Sequence, residues 1–235
     1  MELTTLTPQL HFLRFAVGHV YLWEDADGLT LVDSGVPGSA TAIAEAVASL
    51  GRSREDVRRL VLTHGHADHV GAAAEIARWG EVSVYAHHAD AALVRGETDA
   101  PEPMLREWER PLLASVHEQL PATAPEPSRV DLEVADGDVI DFGGGAHVVA
   151  TPGHTPGSIS LHLPRAGVVF TGDSAARGWD GAVMLGVFNS DLDAAGESLR
   201  RLASLEADIA CFGHGEPATS AATAELRAAV DRLAD

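Results

Sequence analysis

The chain has 235 residues, 46% of them hydrophobic, and a formal net charge of −19. That is enough to bury a core without covalent staples, and the single cysteine, Cys211, excludes an intrachain disulfide framework and fits a reducing compartment. The charge repels nucleic-acid phosphates, and because all 16 basic residues are arginine, Schiff-base and lysine-nucleophile chemistry are excluded.

The opening MELTTLTPQLHFLRFAV lacks the basic and apolar regions of a secretory signal, and no run approaches the roughly 20 apolar residues of a membrane span. The expectation is a cytoplasmic protein that acts on a small molecule, with neither nucleic acid nor membrane as partner. Residues 12–17, 20–24 and 29–33 read as strands. Ile43, Val47 and Leu50 share one face of a helix over 39–50, which Gly51 stops. A buried strand over 58–63, a helix over 69–80 and a strand over 82–86 continue an alternating rhythm. Residues 96–129 break it with six prolines and an amphipathic stretch, PMLREWERPLLASVHEQL, and read as an insertion. Strands follow at 130–134, 146–151, 158–163, 167–171 and 182–187, then a helix over 191–207, a strand over 208–213 and a closing helix over 220–234. The expected class is α/β (α+β), two sheets between helices in a single domain over 1–235.

The chemistry begins at VLTHGHADHVG, residues 61–71, where His64, His66, Asp68 and His69 crowd the end of an apolar strand. On a regular strand His64, His66 and Asp68 share a side; on a helix only His64 and Asp68 do; a tight loop splits the set. Imidazole and carboxylate suit zinc, iron or manganese. The competing reading is a polar strand-to-helix loop with Asp68 near a helix N-terminus. Three further residues repeat the setting, each beside glycine near the end of a strand: His154 in ATPGHTPGS, Asp173 in VVFTGDSA and His214 in CFGHGEP. Glycine allows sharp turns and close approach there. The remaining histidines lack partners at metal spacing, and His88 and Asp90 read as capping the helix that follows.

The series His64-X-His66-X-Asp68-His69, then His154, Asp173 and His214, resembles the motifs of the metallo-β-lactamase superfamily, and LVDSG (31–35) resembles the segment that precedes the first motif. The resemblance runs from about residue 10 to 220. It implies an αββα sandwich with two divalent metal ions, zinc first, with iron or manganese as alternatives. By that analogy His64, His66 and His154 hold one ion, Asp68, His69 and His214 hold the other, Asp173 bridges both, and Asp33 steadies the ligand loop from outside. A water bridging two such ions loses a proton near neutral pH and attacks an acyl carbon, with Asp68 orienting it.

Asp173 stands where true β-lactamases carry cysteine or serine, so the resemblance points away from antibiotic hydrolysis. It is similar instead to the glyoxalase II and acyl-homoserine lactonase branches. The basic grip on glutathione expected of the first is missing, as is the tyrosine after the bridging aspartate expected of the second, since the only tyrosines are Tyr21 and Tyr85. The expected activity is hydrolysis of a small ester, thioester or lactone. A mononuclear iron persulfide dioxygenase, a β-lactam hydrolase and a non-enzymatic metal-binding protein are the alternatives. Residues 96–129 are expected to form a lid, with Met104 and Trp108 on its apolar wall, and Arg177 and Trp179 are expected to face a substrate.

Overall fold

A computed structural model describes residues 1–233. Ala234, at the end of the expected closing helix, lies outside them. The chain divides into two compact units, the first formed by Met1–Asp99 with Glu118–Val134, the second by Ala100–His117 with the chain from Ala135 onward. The stretch 96–129 is thus shared between the two.

The first unit is built on a seven-stranded sheet whose spatial order follows the chain: β1 (Glu2–Thr5), β2 (Leu10–Arg14), β3 (Val20–Asp25), β4 (Gly28–Val32), β5 (Val57–Val61), β6 (Ser83–His87) and β7 (Leu132–Val134). The pairs up to β3–β4 are antiparallel and those from β4–β5 onward parallel. The β4 strand is buried at every position, as expected of a strand covered on both faces. Helix α1 (Ala40–Ser49) buries Ile43 and Val47, four residues apart, in the core with Leu29, Leu31 and Leu60. It ends before Gly51, as its sequence indicates.

The helix expected over 69–80 is two short ones, α2 (Ala67–Val70) and α3 (Ala73–Ile76). The break has a packing cause. A Cβ on Gly71 would lie 2.3 Å from Pro37 N and Val36 C, so the loop after β4 presses directly on the backbone there. Ala72 leaves helical geometry with φ −106° and ψ 7°. Helix α4 (Ala91–Val94) completes the unit.

The second unit opens with α5, a helix over Glu109–Gln119 that begins within it. Its main sheet contains β8 (Val139–Ile140), β9 (Ala146–Ala150), β10 (Ile159–Leu163) and β11 (Val168–Gly172), then the later β14 (Ile209–Phe212), in the order β14-β11-β10-β9-β8. A separate hairpin pairs β12 (Ala175–Arg177) with β13 (Val183–Leu185). The β11–β14 pair is parallel, so both strands end on one edge. Helix α6 (Leu192–Ala203) is capped by Asp191, whose carboxylate accepts from Ala194 N at 3.0 Å; such a cap contributes about 1 kcal/mol. Leu199 and Leu202 are fully buried against Phe212, Val169 and Leu226 of α7 (Ala222–Asp231), each worth about 1.5–3 kcal/mol relative to exposure. No helix among the described residues is long and apolar enough to cross a membrane.

Candidate metal centre

In the first unit the ligand-type residues follow β5. Parallel pairing of β4 with β5 brings Asp33, just past β4, alongside Thr63. Asp33 is buried and adopts φ 63°, a left-handed conformation that Asp tolerates better than most residues. Its Oδ1 accepts from Thr63 N at 2.7 Å and its Oδ2 from Thr63 Oγ1 at 2.8 Å. The same Oδ2 lies 2.8 Å from His69 Nδ1. Because the carboxylate accepts, His69 carries a proton on Nδ1, and the neutral ring then has its lone pair on Nε2. The Thr63 hydroxyl, having given its proton to Asp33, can only accept from His64 Nδ1 at 3.1 Å, which sets the same tautomer in His64. One buried aspartate therefore orients two imidazoles so that Nε2 is the nitrogen each could offer a metal ion.

Further contacts stitch down this loop. Ser34 N and Ser34 Oγ both donate to His69 O, at 2.7 and 2.8 Å, and Gly71 N donates to Gly35 O at 2.9 Å. The LVDSG segment thus braces the histidine loop at three consecutive residues. Asp90 does not cap its helix through the side chain; the buried carboxylate accepts instead from Gly65 N at 2.9 Å, midway between His64 and His66. The His64 ring stands 4.8 Å from that of His66 and 4.1 Å from that of His69.

In the second unit His154 lies in the loop after β9. A Cβ on Gly153, whose φ is 130°, would sit 2.3 Å from Ala195 N, so glycine lets this loop lie against the start of α6. Asp191 N donates to Gly153 O and Ser190 N to His154 O. His154 Nδ1 donates to Val187 O at 3.0 Å, which leaves the lone pair on Nε2. Asp173 and His214 follow the adjacent ends of β11 and β14. Asp173 Oδ2 lies 3.5 Å from His154 Nε2 and 3.1 Å from His214 Nε2.

These distances carry a chemical consequence. In the first unit His69 Nε2, which bears the lone pair of the neutral ring, faces Asp68 Oδ2 at 3.6 Å. In the second unit His154 Nε2 faces Asp173 Oδ2 in the same way. Two acceptors turned toward each other repel unless a cation, a proton or a metal ion, lies between them. Imidazole nitrogens and carboxylate oxygens, oriented by hydrogen bonds to their other atoms, form the donor set that divalent transition metals take. Among the described residues, the side chains grouped so that they could hold a metal ion are His64, His66, Asp68 and His69 in the first unit and His154, Asp173 and His214 in the second. His64, His69, His154 and Asp173 are buried, whereas His66, Asp68 and His214 keep partial exposure.

The residues expected to meet a substrate are placed differently from one another. Met104, Trp108 and Trp179 are 55%, 46% and 89% exposed. Arg177 is committed within its own unit: Nε donates to Glu216 O, NH1 pairs with Glu225 at 2.9 Å, and the guanidinium lies over the Phe212 ring. Its backbone N donates to His214 O at 3.2 Å, so it braces the His214 turn. Thr63 and Val187 are supporting residues that sequence reading missed, and Asp90 was read only as a helix cap. Thr63 adjoins a motif histidine, but its partner lies 30 residues away, and Val187 contributes only a carbonyl.

Residues 13–214 match the model of the Metallo-beta-lactamase superfamily, and the chain belongs to that superfamily. The α/β class and fold expected from the sequence hold. Among individual relatives, a probable metallo-hydrolase of Bacillus subtilis, YflN, is 32% identical over 228 residues, covering 89% of this chain and 85% of the relative. A hydroxyacylglutathione hydrolase of Cereibacter sphaeroides is 30% identical over 165 residues; the match covers 69% of this chain but only 50% of that enzyme. These relatives support a hydrolase. A metallo-beta-lactamase family protein of Thermus thermophilus has a similar structure, with TM-score 0.72 at 24% identity, over 97% of this chain and 79% of that one. A Cronobacter sakazakii metallo-β-lactamase mutant gives TM-score 0.76 at 20% identity, over 99% and 91%. At such identities the likeness is one of fold alone.

Proposed function

We propose that the protein is a dinuclear metal-dependent hydrolase of a small ester, thioester or lactone. The carrying observation is the facing of imidazole lone pairs and carboxylate oxygens at His69–Asp68 and at His154–Asp173. In this reading His64, His66 and His154 hold one divalent ion and Asp68, His69 and His214 the other. A two-ion centre is supported by Asp173 Oδ2, which lies within 3.5 Å of one histidine assigned to each set. Zinc suits these donors best, with iron or manganese as alternatives.

Bound divalent ions would supply Lewis acidity and acidify a water molecule toward neutral pH. The chain's own residues do the rest. Asp33 holds the proton on His69 Nδ1, and through Thr63 on His64 Nδ1, so that both present Nε2. Asp68, partly exposed beside His69, would orient the water. Met104 and Trp108 supply apolar surface to the acyl group. The hydroxyacylglutathione hydrolase relative supports a thioester among the candidate substrates.

Metal analysis of the purified protein, joined to a screen of esters, thioesters and lactones with and without chelator, tests the proposal. Metal-dependent hydrolysis is the expected result. A protein that takes up no divalent metal, or that holds one iron and consumes dioxygen with a persulfide, would refute it. Asp173→Ser should lose the second equivalent of metal while thermal unfolding of the metal-free protein changes little, since it removes a buried carboxylate rather than a packed apolar side chain. Unchanged stoichiometry would remove Asp173 from the bridging role.

A further inference from the structure

Glu109 is a completely buried carboxylate at the start of α5, distant in sequence from every candidate ligand. A carboxylate so placed survives only when its oxygens are met by donors. Two come from its own turn: Arg106 N at 2.7 Å and Arg106 NH2 at 3.3 Å. The third is Phe188 N, 79 residues away, at 3.3 Å from Oε1. A second tie runs from the same segment to the same turn, Met104 N donating to Asn189 O at 2.7 Å.

The turn so held is unusual. Phe188 has φ 59°, a left-handed conformation that a bulky residue adopts only when its surroundings impose it. Asn189 is fully buried and its Nδ2 donates to Gly186 O at 2.6 Å. The residue before Phe188 is Val187, whose carbonyl receives the His154 Nδ1 proton. A short chain of contacts therefore leads from Glu109 to the Phe188 backbone, to the Val187 carbonyl, and to the ring of a candidate ligand.

The geometry points to Glu109 as a positioning residue for His154, and to the 104–109 segment as a latch that holds the metal-binding tautomer of that ring. Glu109 touches neither metal nor substrate in this role. The inference rests on the metal reading above and deepens it, because the latch bears Met104 and Trp108, the side chains assigned to the acyl group. By linkage, whatever the ring gains from a seated latch, the latch gains from an occupied ring, so loading metal should order residues 104–109.

The test compares the wild type with Glu109→Ala, Glu109→Gln and Met104→Pro. Three properties are read: zinc affinity by competition with a chromophoric chelator, hydrogen exchange at the Phe188 amide, and the His154 tautomer by nitrogen NMR of the metal-free protein. Glu109→Ala should weaken zinc binding by about 10-fold or more, speed Phe188 exchange, and mix the His154 tautomers. Glu109→Gln should recover part of each effect, because its amide oxygen still accepts from Phe188 N. Met104→Pro removes the tie to Asn189 O, along with a side chain that none of these three readouts involves, and should act in the same direction by a smaller factor. Wild-type zinc affinity and tautomer in Glu109→Ala, with Phe188 exchange accelerated, would overturn the latch while leaving the metal centre standing. If Glu109→Ala does not fold, the same result in both other variants overturns it. A wild type that binds no metal refutes the proposed function, whereas the metal-free tautomer and exchange measurements still decide the latch.

Discussion

Asp33 shows how much one side chain contributes without touching a metal. It accepts from Thr63 N and Thr63 Oγ1, and it holds His69 through Nδ1. Asp33→Asn keeps the size and the tolerance for φ 63°, but its amide offers one acceptor where three donors converge. If the amide oxygen takes the Oδ1 place, Thr63 Oγ1 and His69 Nδ1 both lose their acceptor and the His69 tautomer is no longer enforced; if it takes the Oδ2 place, Thr63 N meets an amide NH2 instead and the loop carrying the rings is strained. Zinc affinity measured by chelator competition should fall by about 10- to 100-fold, with a much smaller change in the melting temperature of the metal-free protein. An unchanged affinity would show that the ring is oriented by packing alone. The motif residues themselves stood out because His64, His66, His154, Asp173 and His214 sit beside glycine near the end of a strand, with Asp68 and His69 in the same short run as the first two. The reason LVDSG contains an aspartate was less so: only the folded chain shows that Asp33 meets Thr63 and His69, 30 and 36 residues later. The Glu109–Phe188 contact was illegible for the same reason, since a glutamate in a polar-looking insertion carries no sign that it will be buried.

Within each unit, strand pairing brings together residues that are far apart in sequence. Parallel neighbours end on the same edge, so β4 with β5 joins Asp33 to the histidine loop, and β11 with β14 joins Asp173 to His214. The apolar runs that make these strands were readable, and so were the leucines of α6. The continuous helix expected after His69 was not formed, because its interruption arises from the backbone of residues 36 and 37 pressing on Gly71. Intrinsic helix preference could not reveal that contact. The segment leading into α5 bears the specificity argument. Trp108 is 46% exposed with the Arg106 guanidinium 5.2 Å from its ring, an arrangement that presents a flat apolar face to solvent. If that face receives an acyl group, Trp108→Ala should raise KM severalfold for a bulky apolar acyl substrate. It should leave kcat and metal content unaltered, and an acetyl ester should be nearly indifferent. Equal loss on both substrates would mean that the tryptophan supports the fold.

The charge of the whole chain bears on which leaving group it accepts. With 35 acidic against 16 basic residues, the net −19 opposes the approach of any anion, and two divalent ions would reduce it only to about −15. A thioester whose thiol part carries carboxylates, the type hydrolysed by the glutathione enzymes to which this chain is similar, must enter against that field. A neutral ester or lactone with the same acyl group meets no such barrier. Raising ionic strength from about 0.01 M to about 1 M shortens the screening length from about 30 Å to about 3 Å. For the anionic thioester kcat/KM should then rise, by a factor on the order of ten if approach limits the rate. For the neutral substrate it should stay nearly constant. The measurement is a salt series on the matched pair at fixed pH and metal loading. A thioester rate that falls with salt would mean that arginines near the site attract the anion locally and outweigh the field of the whole molecule; the polyanionic thioester would then become the favoured substrate class.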